Sequence, residues 1–169
     1  AVSAEKLVPR MHEYHGISYM RTIRGKTPVI YDRSERFELG GSKLHGTESA
    51  SGGAVVVAGI TVPEALAAQQ SLAEEGIEIA VVDAYSIKPI DGERVRAVAK
   101  AAPFILAAED HYPEGGLAEA VAVAAEGKCP VYVQGVTKRP HSGPSAELLA
   151  EQGLDAAGIA DRVRELAGK

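Results

Sequence analysis

The chain has no tryptophan, a single cysteine, and aromatic residues at only 5%. One cysteine, Cys129, excludes an internal disulfide and a thiolate metal cage. Beside a strand it reads as a small apolar filler, and a reducing cytoplasm fits its use. With so few aromatic rings, the core must rest on Val, Ile, Leu and Ala. No uninterrupted apolar stretch approaches the roughly 18 residues of a membrane-spanning helix. Basic residues are not clustered, and the formal net charge is −5. That balance argues against nucleic acid, whose phosphate backbone demands grouped Lys and Arg. Neither a repeat nor a low-complexity tract is visible. No signal peptide opens the chain, which begins Ala-Val-Ser-Ala-Glu without a methionine. This start is expected to be a boundary inside a longer protein.

What is there has ordinary globular proportions: 169 residues, 46% hydrophobic and 24% charged, enough for one domain plus an appendage. Ser3 can cap a first helix with Val2 and Leu7 as its staple, and Pro9 should kink or shorten it. Ile17–Arg21 and Val29–Tyr31 read as strands, and Asp32–Gly53, small and polar through Gly46–Gly53, as a linker that can carry a short strand at Ser42–His45. The pattern then changes. Ala54–Ala58 is an unbroken apolar run, as in a strand buried on both faces. Thr61 and Glu64 have the spacing of a capping box, Pro63 suits a first turn, and Gly76 closes that helix. Ile77–Val82, Phe104–Ala108 and Val131–Val136 read as further strands. Asp91, with Ile90 and Val95 as staple, caps one helix. Asp155, with Leu154 and Ile159, caps the last. Gly115-Gly116 precedes a helix ending near Ala125. This alternation predicts a mostly parallel sheet covered on both faces.

In such a sheet, ligands gather at the carboxyl ends of the strands. Gly59-Ile60-Thr61-Val62-Pro63-Glu64 follows the first buried strand and is neither a dinucleotide fingerprint nor a P-loop. The densest polar cluster is Glu109-Asp110-His111-Tyr112-Pro113-Glu114-Gly115-Gly116. Asp110 beside His111 could orient an imidazole as a base, and Asp110, His111 and Glu114 together form a candidate ligand or interface cluster. The plainer reading is loop bonding and a subunit contact, with the glycines starting a helix. No serine sits in an elbow motif, and no histidine pair has metal-ligand spacing within a helix. Lys138, Arg139 and His141 form a small basic loop that reads as solvated. Arg21 and Arg24 follow the Ile17–Arg21 segment, where a guanidinium can offer its fork to a phosphate or simply pair on the surface.

Three stretches carry a resemblance: Tyr85-Ser86-Ile87-Lys88-Pro89-Ile90-Asp91, the Glu109–Gly116 run, and Gly153-Leu154-Asp155. With their mutual spacing, the chain resembles the transketolase family along its whole length. The resemblance implies a three-layer α/β/α sandwich for the C-terminal domain, residues 54–169. Its five-stranded mixed sheet would have four parallel strands and one antiparallel edge strand, near Ser42–His45. Residues 1–32 would be the tail of a domain that binds the cofactor's pyrimidine ring, and 33–53 the linker.

The resemblance also implies the parent reaction, transfer of a two-carbon ketol unit from a ketose phosphate to an aldose phosphate. Thiamine diphosphate would carry the unit, with a divalent metal (Mg or Ca) anchoring the diphosphate. Arg24 matches the family's arginine for the substrate phosphate. The family's metal motif begins Gly-Asp-Gly, which this chain lacks. Its catalytic glutamate would lie upstream of residue 1. The expectation is therefore no catalytic residue, no metal site and no bound cofactor here. Partners would be the remainder of the polypeptide or a partner subunit, in a cytoplasmic homodimer acting on sugar phosphates, with no nucleic acid and no membrane. The alternatives are a regulatory small-molecule module, or the same domain of deoxyxylulose-phosphate synthase or an oxo-acid dehydrogenase β subunit.

Overall fold

Three short runs of small and β-branched residues lack polar alternation, and each becomes a strand buried between two helical layers. In the computed structural model, which describes residues 2–168, the sheet contains β1 (Lys43–His45), β2 (Ala54–Val57), β3 (Ala80–Asp83), β4 (Ile105–Ala108) and β5 (Val131–Gln134). Their order is β1-β3-β2-β4-β5. β1 runs antiparallel to β3 at one edge, and the other four strands are mutually parallel. Val55 sits opposite Val81 on one side and Leu106 on the other, in the centre of the sheet. β5, at the far edge, leaves Tyr132 and Val133 partly exposed.

Helices α1 (Val2–Glu13), α2 (Thr61–Glu74), α3 (Gly92–Ala101), α4 (Leu117–Ala125), α5 (Ser145–Gln152) and α6 (Ala156–Leu166) complete the chain. Side chains alternate across a strand, so each strand feeds two cores. Val55, Val57, Val81 and Leu106 pack with Val62, Leu72, Ile159 and Val163 of α2 and α6. Val56, Val82 and Ile105 pack with Val95, Val98, Leu117 and Val121 of α3 and α4. This is the three-layer sandwich that the resemblance implied. No described helix is long and apolar enough to cross a membrane. Ala1 and Lys169, which end the 1–32 and 54–169 segments, lie outside the described residues.

The helix signals separate into those that act locally and those overridden by packing. Asp91 accepts a hydrogen bond from the Arg94 amide at 2.9 Å, and Asp155 from the Gly158 amide at 3.0 Å, so both act as caps as expected. Thr61 does not. Its hydroxyl lies 3.0 Å from the Ala58 carbonyl oxygen and 3.1 Å from that of Ala108. Its partner in the expected capping box, Glu64, instead accepts from the amide of Ala156, the first residue of α6. Ser3 lies inside α1 rather than capping it, and the helix continues past Pro9 to Glu13. α5 is an element the sequence reading did not assign.

Ile17–Arg21 and Val29–Tyr31 form no strand. They run without ladder partners within the described residues, and Ile17 and Tyr19 point into solvent at 101% and 85% exposure. A separate small cluster joins Val2, Leu7, Tyr31 and Phe37, with Met20, Ile30 and Tyr85 against it. Tyr31 and Phe37 meet edge to face at 5.1 Å between ring centroids. Phe37 is buried within the segment read as a linker, so that stretch packs on the domain rather than standing off it.

Candidate functional site

Chain direction places the ends of β2, β3, β4 and β5 along one edge of the sheet. β2 and β4 diverge in connection there, which makes their junction the topological switch point. Thr61 occupies that junction. It is fully buried, and its single hydroxyl proton is shared between carbonyl oxygens at the ends of the two strands. A side chain thus fills the position where a doubly wound fold often admits a ligand. Beside it lies a shallow cleft of about 200 Å³ with a largely apolar lining that includes Ile60, Val136 and Leu149, and with Asp110, Ser145 and Gln152 as polar members. Ligand pockets commonly offer about 300–1,000 Å³, so this cleft alone is small for a sugar phosphate.

Within the Glu109–Gly116 run, neighbouring carboxylates have different fates. Glu109 is 4% exposed. Its two oxygens accept from the amides of Leu117 at 2.6 Å and Ala118 at 3.0 Å, the first residues of α4. A buried anion is tolerated there because it satisfies two amide donors at the positive end of a helix. Gly116 is required by the same contact, since a Cβ on it would lie 2.1 Å from Glu109 Oε2. Asp110 instead forms an ion pair with Arg21. Burial pushes its carboxyl above the ordinary value, and the nearby guanidinium pulls it partly back. His111 is exposed. Its Nδ1–H donates to the Tyr112 carbonyl at 2.7 Å, and its own carbonyl accepts from the Val136 amide at 2.8 Å. Glu114 is exposed and has no hydrogen-bond partner among the described residues. No hydrogen bond links Asp110 to the His111 ring among them either, so the three side chains do not form an oriented acid–imidazole pair.

The Tyr85–Asp91 motif is equally structural. The Tyr85 hydroxyl accepts from the Glu38 amide at 3.3 Å, and Ser86 Oγ accepts from the Gly40 amide at 3.0 Å while donating to the Pro89 carbonyl at 2.7 Å. Asp91 adds a bond from the Ser42 hydroxyl at 2.8 Å to its capping role. The motif therefore fastens residues 38–42 to the start of α3. In the basic loop, Lys138 Nζ donates to the Glu151 carbonyl at 2.6 Å and His141 Nε2 lies 2.9 Å from the Glu151 carboxylate, which ties the loop to α5.

A second polar cluster had no signal in the sequence beyond one acidic residue ending an apolar run. Asp83, the last residue of β3, is 5% exposed and accepts the Tyr31 hydroxyl proton at 2.7 Å. The Tyr31 oxygen is left to accept from His45 Nε2–H at 3.2 Å. Lys43 pairs with Glu35, and its Nζ lies 4.8 Å from the Phe37 ring centroid. Burial raises the Asp83 carboxyl above its ordinary value, and burial lowers the His45 imidazole. Burial, then Asp83, pushes the Tyr31 phenol up. Arg24 lies at a bend between these clusters, exposed and without an ion-pair partner among the described residues.

The residues present do not fit the divalent metal that the resemblance implies. Among the described residues no group of three His, Cys, Asp or Glu could hold a metal ion, and the sequence has no Gly-Asp-Gly.

Comparison with known proteins gives one answer. The family model described as transketolase, C-terminal domain, matches residues 51–159. The transketolase of Homo sapiens is 39% identical over 99% of this chain, and transketolase-like protein 1 of Macaca fascicularis is 42% identical over 92%. The chain spans 27% of the length of each of these relatives. Among solved structures, a split gene transketolase described as an inactive beta4 tetramer matches with a TM-score of 0.91 and 30% identity. That match covers 99% of this chain and 55% of the other. A 2-oxoglutarate:ferredoxin oxidoreductase from Magnetococcus marinus, at TM-score 0.57 and 16% identity, shares the fold alone. With the sheet order, the single antiparallel edge strand and a family match over most of its length, the chain belongs to the transketolase C-terminal domain family.

Proposed function

We propose that this chain is the C-terminal segment of a thiamine-diphosphate-dependent transketolase. The parent enzyme, a cytoplasmic homodimer, moves a two-carbon ketol unit from a ketose phosphate to an aldose phosphate. The cofactor and its divalent metal are held by the rest of the enzyme. This segment packs against that remainder, whether covalently continuous or a partner subunit, and supports the dimer. It contributes one substrate ligand, Arg24, whose planar fork suits a phosphate. The observation that carries the reading is the family match, joined to an exposed Arg24 that has no ion-pair partner among the described residues. Asp110 and Glu109 are already engaged by Arg21 and by α4, which leaves them as supports rather than reacting groups.

The test is complementation. The purified chain, supplied with thiamine diphosphate, magnesium and both sugar phosphates, should give no ketol transfer and no heat of specific cofactor binding. Adding the complementary part of the enzyme should restore turnover. Ketol transfer by the chain alone, in uncontaminated material, would overturn this assignment.

A further inference from the structure

The segment that carries Arg24 is held at both ends by the sheet domain. At one end Arg21 pairs with Asp110, two residues beyond β4. At the other the Tyr31 hydroxyl donates to Asp83, the last residue of β3, at 2.7 Å. Met20 and Ile30, next to these two attachment points, pack against the Tyr31–Phe37 cluster, and Ile30 also reaches the main core. Between them residues 22–29 are exposed, apart from a half-buried Thr27. β3 and β4 are the two neighbours of β2. The attachment points are therefore about two strand spacings apart, roughly 10 Å. Residues 22–30 could reach about 30 Å if extended. The surplus chain must bow outward from the sheet edge, with Arg24 near its Arg21 end.

We propose that Asp110 and Asp83, acting through Arg21 and Tyr31, are positioning residues that fix the Arg24 loop over the carboxyl edge of the sheet. The C-terminal domain then decides where a sugar phosphate is gripped. This inference rests on the reading of Arg24 as the phosphate ligand. The mechanism is preorganisation: an arginine on a tethered loop has less freedom to lose when it binds an anion. Neither aspartate touches the phosphate. Direction separates this from a charge effect. A carboxylate near a phosphate repels it, so removing the Asp110 charge would tighten phosphate binding if charge dominated. It loosens binding if Asp110 works by holding Arg21.

The experiment uses the complete enzyme that contains this chain. KM and kcat are measured for a phosphorylated ketose and for an unphosphorylated one. The quantity read is the ratio of the two KM changes. Arg24→Ala should shift that ratio against the phosphorylated substrate by about tenfold or more. Asp110→Asn and Tyr31→Phe should each shift it the same way by about three- to tenfold. Arg21→Lys, which can still pair with Asp110, should recover most of the wild-type ratio. In an Arg24→Ala background neither change should shift the ratio further, because the group they position is gone. If Arg24→Ala is phosphate-selective but Asp110→Asn and Tyr31→Phe leave the ratio alone, the positioning role is wrong while the Arg24 reading stands. If Arg24→Ala leaves the ratio alone, both fall. Tighter phosphate binding in Asp110→Asn, or a further shift in the Arg24→Ala background, also overturns the positioning role. Should Tyr31→Phe fail to fold, Asp110→Asn decides alone, since its side chain is partly exposed.

Discussion

Residues 54–166 and residues 14–30 treat the same kinds of side chain in opposite ways. In the first region the apolar residues of β2, β3 and β4 are wholly enclosed, with helices on either face. In the second, Ile17, Tyr19 and Val29 stand in solvent on backbone that has no ladder partner among the described residues. The difference shows that strand-like composition is only half of a strand. A buried run succeeds because neighbouring strands complete its hydrogen bonds and helices cover its faces. Residues 17–21 have the composition without either condition, so Ile17 and Tyr19, unlike Met20, contribute little to the stability of this chain.

That contrast can be broken by three substitutions. The largest effect should come from Leu106→Ala, at a fully buried position in the central sheet. Loss of transfer energy plus a cavity should cost about 2–5 kcal/mol, read as a lower urea midpoint. A loss below about 1 kcal/mol would mean the sheet core is looser than its burial implies.

The second substitution tests the join between the regions, at Asp83. Burial raises its folded-state pKa above the ordinary 3.8, against smaller opposing effects of the Tyr31 hydrogen bond and Lys43. The folded chain therefore binds that proton more tightly than the unfolded chain does. The resulting stabilisation is full below the ordinary value and is lost as pH rises through the raised one. Asp83→Asn keeps an oxygen for the Tyr31 hydroxyl and removes the titration. Its stability relative to wild type should rise with pH across the mildly acidic range, measured by denaturant midpoints. Parallel curves would show that Asp83 ionises in the folded state as easily as in the unfolded one. The smallest effect belongs to Ile17→Ser, within about 0.5 kcal/mol of wild type in this isolated chain. A large loss there would erase the contrast.

Much of the sheet domain was legible because its signals are local. The runs at Ala54–Val57 and Ile105–Ala108 announce buried strands, and Asp91 and Asp155 with their staples announce helix starts. Where reading failed, the deciding contact lay far away in the chain. Thr61-x-x-Glu64 has the form of a capping box, yet burial between two carbonyl oxygens claims the hydroxyl, and Ala156 claims the carboxylate. α5 offers only Leu148 and Leu149 as large apolar residues, too few for a visible stripe. At the candidate site, the Glu109–Gly116 run stands out by its residue types, whereas only the family resemblance separates Arg24 from Arg21. The Tyr31–Asp83 bond joins positions 52 apart and leaves no local pattern. Nor could spacing reveal that Glu109 and Asp110, adjacent in sequence, would serve a helix and an arginine respectively.

The hook formed by Glu109 on the first amides of α4 closes residues 110–116 into a small hoop whose base is set by the domain itself. Its two feet stay in register whatever the crown of the hoop contains. Variation at Tyr112 and Glu114, both exposed, can therefore accumulate without moving the carboxylate that greets Arg21. Evolution, or an engineer, has room to rewrite that crown while the geometry beside it stays put.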